Sequence, residues 1–225
     1  MHISVIVPVL NEERTIASTL AALGRLAPDE VIVVDGGSTD RTRDIVGRTP
    51  AALLTAPPGR AQQMNHGAHA AQGEVLLFLH ADTRLPVSAL ADIRAAMADP
   101  RCVGGRFDVC LDRDEWTFRL IGTLINLRSR LTKGATGDQA IFVRRTVFEE
   151  LGGFPDLPLM EDIALSRLLK RQGQVACLHS QVITSARRWE RDGMWRTVLT
   201  MWAFRLLFLA GVSPMRLKRF YGDAR

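Results

Sequence analysis

The chain has 225 residues, of which 47% are hydrophobic and 24% are charged, so it holds enough apolar material for one buried core. Its formal net charge of +5 favours anionic partners, which include phosphates, nucleotides, nucleic acid and an acidic lipid surface. The three cysteines match no zinc-binding spacing and indicate reduced thiols in a cytoplasmic protein. The first residues, MHISVIVPVLNEE, predict a strand rather than a signal peptide.

Short apolar runs alternate with helical patterns over the first half of the chain. They predict strands at 3–9, 30–35, 51–56 and 74–82, and helices at 12–26, 38–48 (with Ser38 as N-cap) and 59–73. This order predicts an α/β fold, with a mainly parallel, Rossmann-like sheet flanked by helices. Such sheets bind ligands at the carboxyl ends of their strands. The polar residues expected at those ends are Asn11, Glu12, Asp35, His80 and Asp82.

The second half of the chain has a less regular pattern. It predicts helices at 88–98, 116–131 and 161–173, a strand or hairpin at 103–111, and strands at 139–145 and 174–185. The helix at 116–131 is expected to be amphipathic, with Arg119, Arg128 and Arg130 on its polar side. We expect one domain at 1–193 and a C-terminal amphipathic helical extension at 194–225.

Two carboxylates are expected to follow strands directly. Asp35 precedes two glycines in VDGGSTD, where a carboxylate can accept hydrogen bonds from a base or a ribose. Asp82 in HADT offers a hard oxygen ligand to Mg²⁺ or Mn²⁺. Ordinary turn and capping chemistry explains both segments equally well.

Two further acidic segments lie in the second half. Asp138 and Gln139 precede a short strand and reach the same edge if that strand joins the sheet; a solvated loop is the alternative. Glu161 and Asp162 open a helix, where acidic residues stabilise the positive end of the dipole. One of them can also serve as a general base that deprotonates an acceptor hydroxyl.

Taken in order, these segments resemble the motifs of family 2 glycosyltransferases with the GT-A fold. The matching segments are VIVPVLNEE, VVDGGSTDRT, NHGAHAAQGEVLLFLHADT, GDQAIFVRR and MEDIALSRLLKR, followed by SARRW, and together they span 3–189. The wording of GRAQQMNHGA, GDQAIFVRR and TSARRWERDG resembles a compact bacterial branch described as "transferase 2, radical-SAM/selenodomain-associated".

The resemblance implies a site for a nucleoside diphosphate sugar and a divalent cation, Mg²⁺ or Mn²⁺. The Asp-any-Asp metal motif of relatives has His80 in its first position here, so Asp82 is the expected metal ligand. The acidic pair of the family implies Asp162 as the catalytic base, with Glu161 as the alternate. The residues expected to contact the nucleotide sugar are Pro8, Asn11, Glu12, Asp35, Arg60, His80, Asp138, Arg187 and Arg188.

The implied reaction is an inverting transfer of a sugar to a hydroxyl acceptor that the sequence does not identify. A nucleotidyltransferase is a rival, although its usual Gly-rich phosphate loop is missing from PVLNEERT. A nucleotide-sugar-binding protein with weak catalysis is a second rival. A nucleic-acid binder has little support, because the chain has one tyrosine and no recognised binding motif.

The tail at 194–221 combines apolar and basic residues in a helical pattern. Arg196 and Arg205 interrupt its longest apolar stretch, which argues against a membrane-spanning helix. A basic amphipathic helix can instead lie on the inner face of a membrane, which suits an acceptor carried on a lipid. It can equally pack on the catalytic domain or on a second copy of the chain.

Overall fold

Eight strands form one mixed sheet in the computed structural model, which describes residues 1–220 apart from the side chains of Arg188, Asp192, Trp195, Arg219 and Phe220. The strand order is β3-β2-β1-β4-β7-β6-β8-β5. The strands are β1 (Ile3–Val9), β2 (Glu30–Asp35), β3 (Ala52–Thr55), β4 (Val75–Phe78), β5 (Thr83–Arg84), β6 (Cys102–Leu111), β7 (Ile141–Arg144) and β8 (Gln174–Thr184).

Helices cover both faces of the sheet, as the alternation of its apolar residues requires. In β1, Val5 and Val7 belong to one core cluster, and Ile6 belongs to the other. The helices are α1 (Ile16–Leu26), α2 (Thr42–Val46), α3 (Arg60–Ala70), α4 (Ala89–Met97), α5 (Trp116–Thr132), α6 (Arg145–Glu150), α7 (Glu161–Gln172), α8 (Arg187–Asp192), α9 (Met194–Leu209) and α10 (Pro214–Phe220), with a 3₁₀ turn at Gly137–Gln139.

The predicted α/β class and mainly parallel sheet are confirmed, and so is each predicted strand within a few residues. The pairs β1–β2, β2–β3, β1–β4 and β6–β8 are parallel. The prediction that Ser38 caps the second helix is wrong. That helix begins at Thr42, because the Ser38 hydroxyl accepts a hydrogen bond from the Asn11 N–H instead.

The predicted orientation of the helix at 116–131 is also wrong in part. Arg119 is exposed, but Arg128 is half-buried. The side of α5 that packs on the sheet carries Gly122 and Asn126, and the Asn126 side chain makes two hydrogen bonds with the backbone of Val109 in β6. The large apolar residues that face solvent instead are Trp116, Leu120, Leu124, Leu127 and Leu131.

The C-terminal helix α9 packs on the sheet domain with one side only. Met194, Val198 and Met201 contact the core cluster that includes β1, and Phe204 is buried. The exposed side is also apolar, so the expected polar face is narrow. Its large exposed residues are Leu199, Trp202, Leu206, Leu207 and Leu209.

Candidate active site

The ends of β1, β2 and β4 form one edge of the sheet, where most of the predicted side chains gather. These three strands are parallel neighbours, so the loops that follow them emerge together. Strand β7 runs antiparallel to β4 and pairs Ile141 with Phe78. The 3₁₀ turn that precedes β7 therefore lies at the same edge, whereas a parallel β7 would have carried it to the opposite one.

The loops after β1 and β2 are tied together by hydrogen bonds. The Asn11 N–H donates to Ser38 Oγ at 2.9 Å, and Asn11 Oδ1 accepts from the Thr39 N–H at 2.9 Å. Asn11 has a φ of 54°, a left-handed conformation in which Asn is enriched. The Glu12 N–H donates to Thr42 Oγ1 at 2.8 Å. These contacts fix both loops in one arrangement.

Asp35 is fully buried at the end of β2. Its carboxylate accepts hydrogen bonds from the N–H groups of Gly37 and Ser38, both at 3.1 Å, and lies 3.9 Å from Arg43 Nε. Asp35 thus shapes its own loop. Since a carboxylate has about four lone-pair positions, a ligand can still share it.

Gln63 is a structural residue of this edge that the sequence analysis did not single out. It is fully buried in α3, and its Nε2 donates to the carbonyl oxygens of Val9 and Val34, both at 2.8 Å. The side chain thereby joins the last residues of β1 and β2. Only a buried amide in an otherwise apolar helical face could have indicated this role.

Asp82 lies just after the end of β4, next to Arg187. Thr83 pairs with Thr184 in β8, which brings the start of α8 to this loop. Arg187 Nη2 lies 3.6 Å from Asp82 Oδ2 and 3.9 Å from Glu12 Oε2. Burial raises the pKa of Asp82, and the charges of Arg187 and Arg60 oppose that rise.

His80, Gly137, Glu161 and Asp162 line one small pocket, together with four apolar residues. Its volume is about 10 Å³, which is room for one water molecule and not for a sugar ring. A Cβ on Gly137 would lie 2.6 Å from His80 Nε2, so a larger residue there would displace the His80 imidazole. The apolar lining residues are Met64, Phe78, Ile141 and Phe154.

The Asp162 carboxylate is held by two backbone N–H groups. Oδ2 accepts from Gly137 at 2.7 Å, and Oδ1 accepts from Ile163 at 2.6 Å. Burial raises the pKa of Asp162 despite these hydrogen bonds, and the charge of Asp138 raises it further. The residue before the pair, Met160, has a φ of 68°, which turns the chain sharply into α7.

Glu161 is more deeply enclosed than its neighbour, with 7% of its surface exposed. Burial, reinforced by the charge of Asp162, raises the pKa of Glu161 to about 7. Arg60, an exposed residue at the start of α3, opposes the rise for Glu161, Asp162 and Asp82 alike. The positive charge of Arg60 thus acts on all three acids at this edge.

Asp138 reaches the edge in the 3₁₀ turn, as the placement of β7 requires. Its Oδ1 is buried and meets no hydrogen-bond donor within the described part of the chain. Its charge acts on Asp162 and also on Arg128 of α5. Arg128, Arg106 of β6 and Arg205 of α9 form a group of cations that the sequence analysis did not assign to the site.

The strand-end edge offers few side-chain ligands to a divalent cation. Among residues 1–220, no group of three or more His, Cys, Asp or Glu side chains is placed to hold a metal. Mg²⁺ commonly takes only one or two protein carboxylates and completes its shell with water and substrate phosphates. The single carboxylate of Asp82 fits that pattern, with a diphosphate as the second source of oxygen ligands.

Two predicted contacts stand apart from this gathering. Pro8 is buried within β1. The pairing of β1 with β4 ends at Ile6, so the lack of an N–H group in proline interrupts no hydrogen bond between these two strands. The side chain of Arg188 lies outside the described residues.

Comparison with known proteins agrees with this geometry. The model of the protein family described as "Glycosyl transferase family 2" matches residues 4–152 of this chain. The probable glycosyltransferase YdaM of Bacillus subtilis is 27% identical over 256 residues, which covers 98% of this chain and 60% of that protein. The chain thus spans well under two thirds of the length of this relative.

Two solved structures share the fold. S. aureus TarS in complex with UDP-GlcNAc aligns with a TM-score of 0.66 at 22% identity, over 82% of this chain and 58% of that one. Glucosyl-3-phosphoglycerate synthase from Mycobacterium tuberculosis, in complex with Mn²⁺ and UDP-Glc, aligns with a TM-score of 0.61 at 22% identity, over 80% and 69%. Both therefore support the GT-A architecture.

The raised pKa of Glu161 predicts that stability falls as the pH rises. The folded state holds this proton up to a pH of about 7, whereas the unfolded chain releases it near 4.5. Between these values the folded state binds more protons, so the free energy of unfolding decreases with pH, by about 3 kcal/mol in all. Glu161→Gln should remove most of this slope and raise stability at pH 8.

Urea unfolding at pH 5 and pH 8 measures this effect. Glu150→Gln, at an exposed glutamate of α6, is the matched control and should keep the slope of the unsubstituted protein. An unchanged pH dependence in Glu161→Gln would show that Glu161 is ionised in the folded protein at low pH.

Proposed function

Since the chain belongs to glycosyl transferase family 2, we propose that it transfers a sugar from a nucleoside diphosphate sugar to a hydroxyl group of an acceptor, with inversion at the anomeric carbon. The observation that carries this proposal is the Glu161–Asp162 pair. It lies at the strand-end edge with a raised pKa for both acids, beside His80 and the 3₁₀ turn.

The donor is proposed to lie across the loops that follow β1, β2 and β4. Asn11, Glu12 and Asp35 belong to the two tied loops, which offer fixed hydrogen-bonding groups to the nucleoside. Pro8 supports the first of these loops from inside the sheet. His80 and Asp138 lie on the side nearer to the acids, where the sugar would sit.

Asp162 is proposed as the catalytic base. The N–H groups of Gly137 and Ile163 fix the direction of its carboxylate, and its raised pKa gives it more affinity for a proton than an exposed Asp has. It takes the proton of the acceptor hydroxyl while the hydroxyl oxygen bonds to the anomeric carbon. The bond from that carbon to the diphosphate oxygen breaks on the opposite face, which inverts the configuration.

Asp82 is proposed to hold Mg²⁺ or Mn²⁺ with the donor diphosphate. The bound cation would neutralise negative charge on the departing nucleoside diphosphate. Arg187, 3.6 Å from Asp82, and Arg60, whose charge reaches the same carboxylate, add positive charge on the side of the phosphates. Arg188 is proposed to share this role.

The rival functions predict other behaviour. A nucleotidyltransferase would release pyrophosphate from a nucleoside triphosphate, and a binding protein would release nothing. The segments GRAQQMNHGA, GDQAIFVRR and TSARRWERDG support a place in the branch described as "transferase 2, radical-SAM/selenodomain-associated". A panel of sugar nucleotides, assayed for released nucleoside diphosphate, identifies the donor and separates these functions.

We also propose that the acceptor is carried on a lipid and that the chain meets an anionic membrane through its C-terminal extension, 194–225. None of the helices described between residues 1 and 220 has the length and apolar character needed to cross a bilayer. The exposed apolar side of α9 stands next to the exposed basic residues Arg196, Arg216 and Lys218. That combination favours a negatively charged lipid surface over a second copy of this basic chain.

Replacing the base should abolish most turnover. We expect Asp162→Asn to lower kcat by about 10²–10⁴-fold, the usual effect of losing a general base, while donor affinity changes little. Initial rates of nucleoside diphosphate release measure it. Asp92→Asn, at a first-turn acid of α4, is the matched control and should keep normal rates. A stable Asp162→Asn protein with normal kcat would refute the assignment.

Replacing the metal ligand should remove the effect of the cation on nucleotide binding. We expect Mn²⁺ to strengthen UDP binding at least about tenfold in the unsubstituted protein, and not in Asp82→Asn, because a carboxamide lacks the charge that a hard cation prefers. Calorimetry with and without Mn²⁺ tests this. If Mn²⁺ strengthened UDP binding equally in both proteins, Asp82 would not be the ligand.

The membrane proposal predicts sedimentation with vesicles. The protein should sediment with phosphatidylglycerol vesicles at low salt and be released as ionic strength exceeds about 0.1 M. Leu206→Glu in α9 should weaken this binding, while Val87→Glu, at an exposed apolar residue outside the helices, should not. Absence of binding at low salt, or a dimer that Leu206→Glu dissociates, would overturn it.

A further inference from the structure

Three arginine side chains from distant parts of the chain lie close enough for their charges to interact, and two of them also interact with Asp162. They are Arg106 in β6, Arg128 in α5 and Arg205 in α9. The charges of Arg106 and Arg205 both act on Arg128, and the charge of Asp162 acts on Arg128 and Arg205. These three residues, called the arginine cluster below, are not used by the mechanism above.

Arg106 is the most enclosed member, with 1% of its surface exposed. Its Nη1 donates to Asp108, and Asp108 also accepts from Arg130. Within the described part of the molecule, no acceptor meets the Nε and Nη2 groups of Arg106. Asp108 thus pairs with Arg106 and Arg130 and leaves the Nε–Nη2 edge of Arg106 without an acceptor.

Arg128 presents the same edge of its guanidinium group. Its Nε and Nη2 are buried and also have no acceptor among the described residues. Burial lowers the pKa of Arg128 to about 10, assisted by the charges of Arg205 and Arg106 and opposed by Asp138 and Asp162. Arg128 therefore remains charged at neutral pH.

Arg205 reaches the cluster from the C-terminal extension. Its Nη2 lies 3.2 Å from the point where a Cβ on Gly134 would stand, so the guanidinium group packs against the loop before the 3₁₀ turn. Its Nη1 is buried without an acceptor in residues 1–220. Burial lowers the pKa of Arg205, and Asp162 opposes this.

Such a group of cations is costly in the free protein. Each buried donor without a partner has lost its hydrogen bonds to water, and the cost is greater when the donor is charged. Asp162 offsets this only through the attraction of its charge, because none of the unmatched nitrogen atoms of the cluster donates a hydrogen bond to it. The five unmatched nitrogen atoms, which belong to Arg106, Arg128 and Arg205, are thus fixed donors that an incoming anion can satisfy.

We propose that the arginine cluster binds a phosphate group of the acceptor and so places the acceptor hydroxyl beside Asp162. Two of its members offer a paired Nε–Nη2 edge, which matches two oxygens of one anion. A phosphate monoester has three terminal oxygens for the five donors, whereas a carboxylate has only two. The inference rests on the proposed function, because it assigns a role to the acceptor of that transfer.

In this proposal the acceptor phosphate is bound by the arginine cluster, while the bonds that form and break lie at the acceptor hydroxyl and the anomeric carbon. The hydroxyl oxygen of the same acceptor bonds to the anomeric carbon, its proton passes to Asp162, and the nucleoside diphosphate leaves with the bonding electrons. The acceptor phosphate is not altered in the step. Its task is to hold the acceptor, so loss of the cluster should weaken acceptor binding.

Calorimetry with paired probes tests the proposal. With UDP and Mn²⁺ at saturation to occupy the donor site, glycerol 3-phosphate is titrated against glycerol. We expect binding that depends on the phosphate, and a loss of at least about tenfold in Arg128→Gln and in Arg205→Gln, the effect of removing one charged hydrogen-bonding partner. Arg171→Gln, at an exposed arginine in the last turn of α7, should bind like the unsubstituted protein.

A second measurement separates a binding role from a structural one. If the cluster is a receptor for an anion, Arg128→Met should raise or preserve the melting temperature without phosphate, because it removes an uncompensated buried charge. Added phosphate should stabilise the unsubstituted protein and not the variant. A fall in melting temperature that phosphate does not affect in either protein would assign Arg128 to the fold alone.

The remaining outcomes are also decisive. The same titration is repeated with a phosphate-bearing lipid, lysophosphatidic acid, against its phosphate-free counterpart, monoacylglycerol. If lysophosphatidic acid binds more tightly than glycerol 3-phosphate, the acceptor is a phosphorylated lipid. If the two bind equally, the acceptor is a soluble phosphate ester. Equal binding of the phosphate and phosphate-free probes overturns the inference. If neither UDP nor any other common nucleoside diphosphate bound, the proposed function would be contradicted instead, and the titration repeated without nucleotide would still test the cluster.

Discussion

The hydrogen bond from the Gly137 N–H to Asp162 holds together the two halves of the candidate site. It joins the 3₁₀ turn before β7 to the first turn of α7, and both segments come from the irregular half of the chain. The bond forms only because β7 runs antiparallel to β4, which returns the turn to the strand-end edge. Glycine at 137 also leaves room for the His80 imidazole, which lies 2.6 Å from the point where a Cβ would stand.

Much of the sheet and of its working edge follows from the sequence. The runs 3–9 and 30–35 are rich in β-branched residues, and each is long enough for a buried parallel strand. The loops that follow parallel strands lie at one edge of the sheet, so the sequence alone predicts that Asn11, Asp35 and Asp82 lie together. The acidic pair could be placed at a helix start by the same local reasoning, because Met160 and Glu161 are adjacent to a clear helical pattern.

The side of α5 that packs on the sheet could not be predicted in this way. Its leucines have helical spacing and suggest a core-facing side, yet Leu120, Leu124 and Leu127 are exposed. The close approach of α5 to β6 decides the matter: a Cβ on Gly122 would lie 3.3 Å from the Val109 carbonyl oxygen, and Asn126 bonds to the same strand. Contacts between distant segments thus outweigh the pattern within the helix and turn Arg128 inward.

The contribution of Arg205 has a consequence for the order in which the protein matures during synthesis. A chain leaves the ribosome from its N-terminus, and its N-terminal parts fold first. The tied loops after β1 and β2 precede Arg205 of α9 by more than 150 residues along the chain. A nascent chain would therefore form the proposed donor site before the arginine cluster is complete, and the proposed competence toward acceptors would arise later than donor binding.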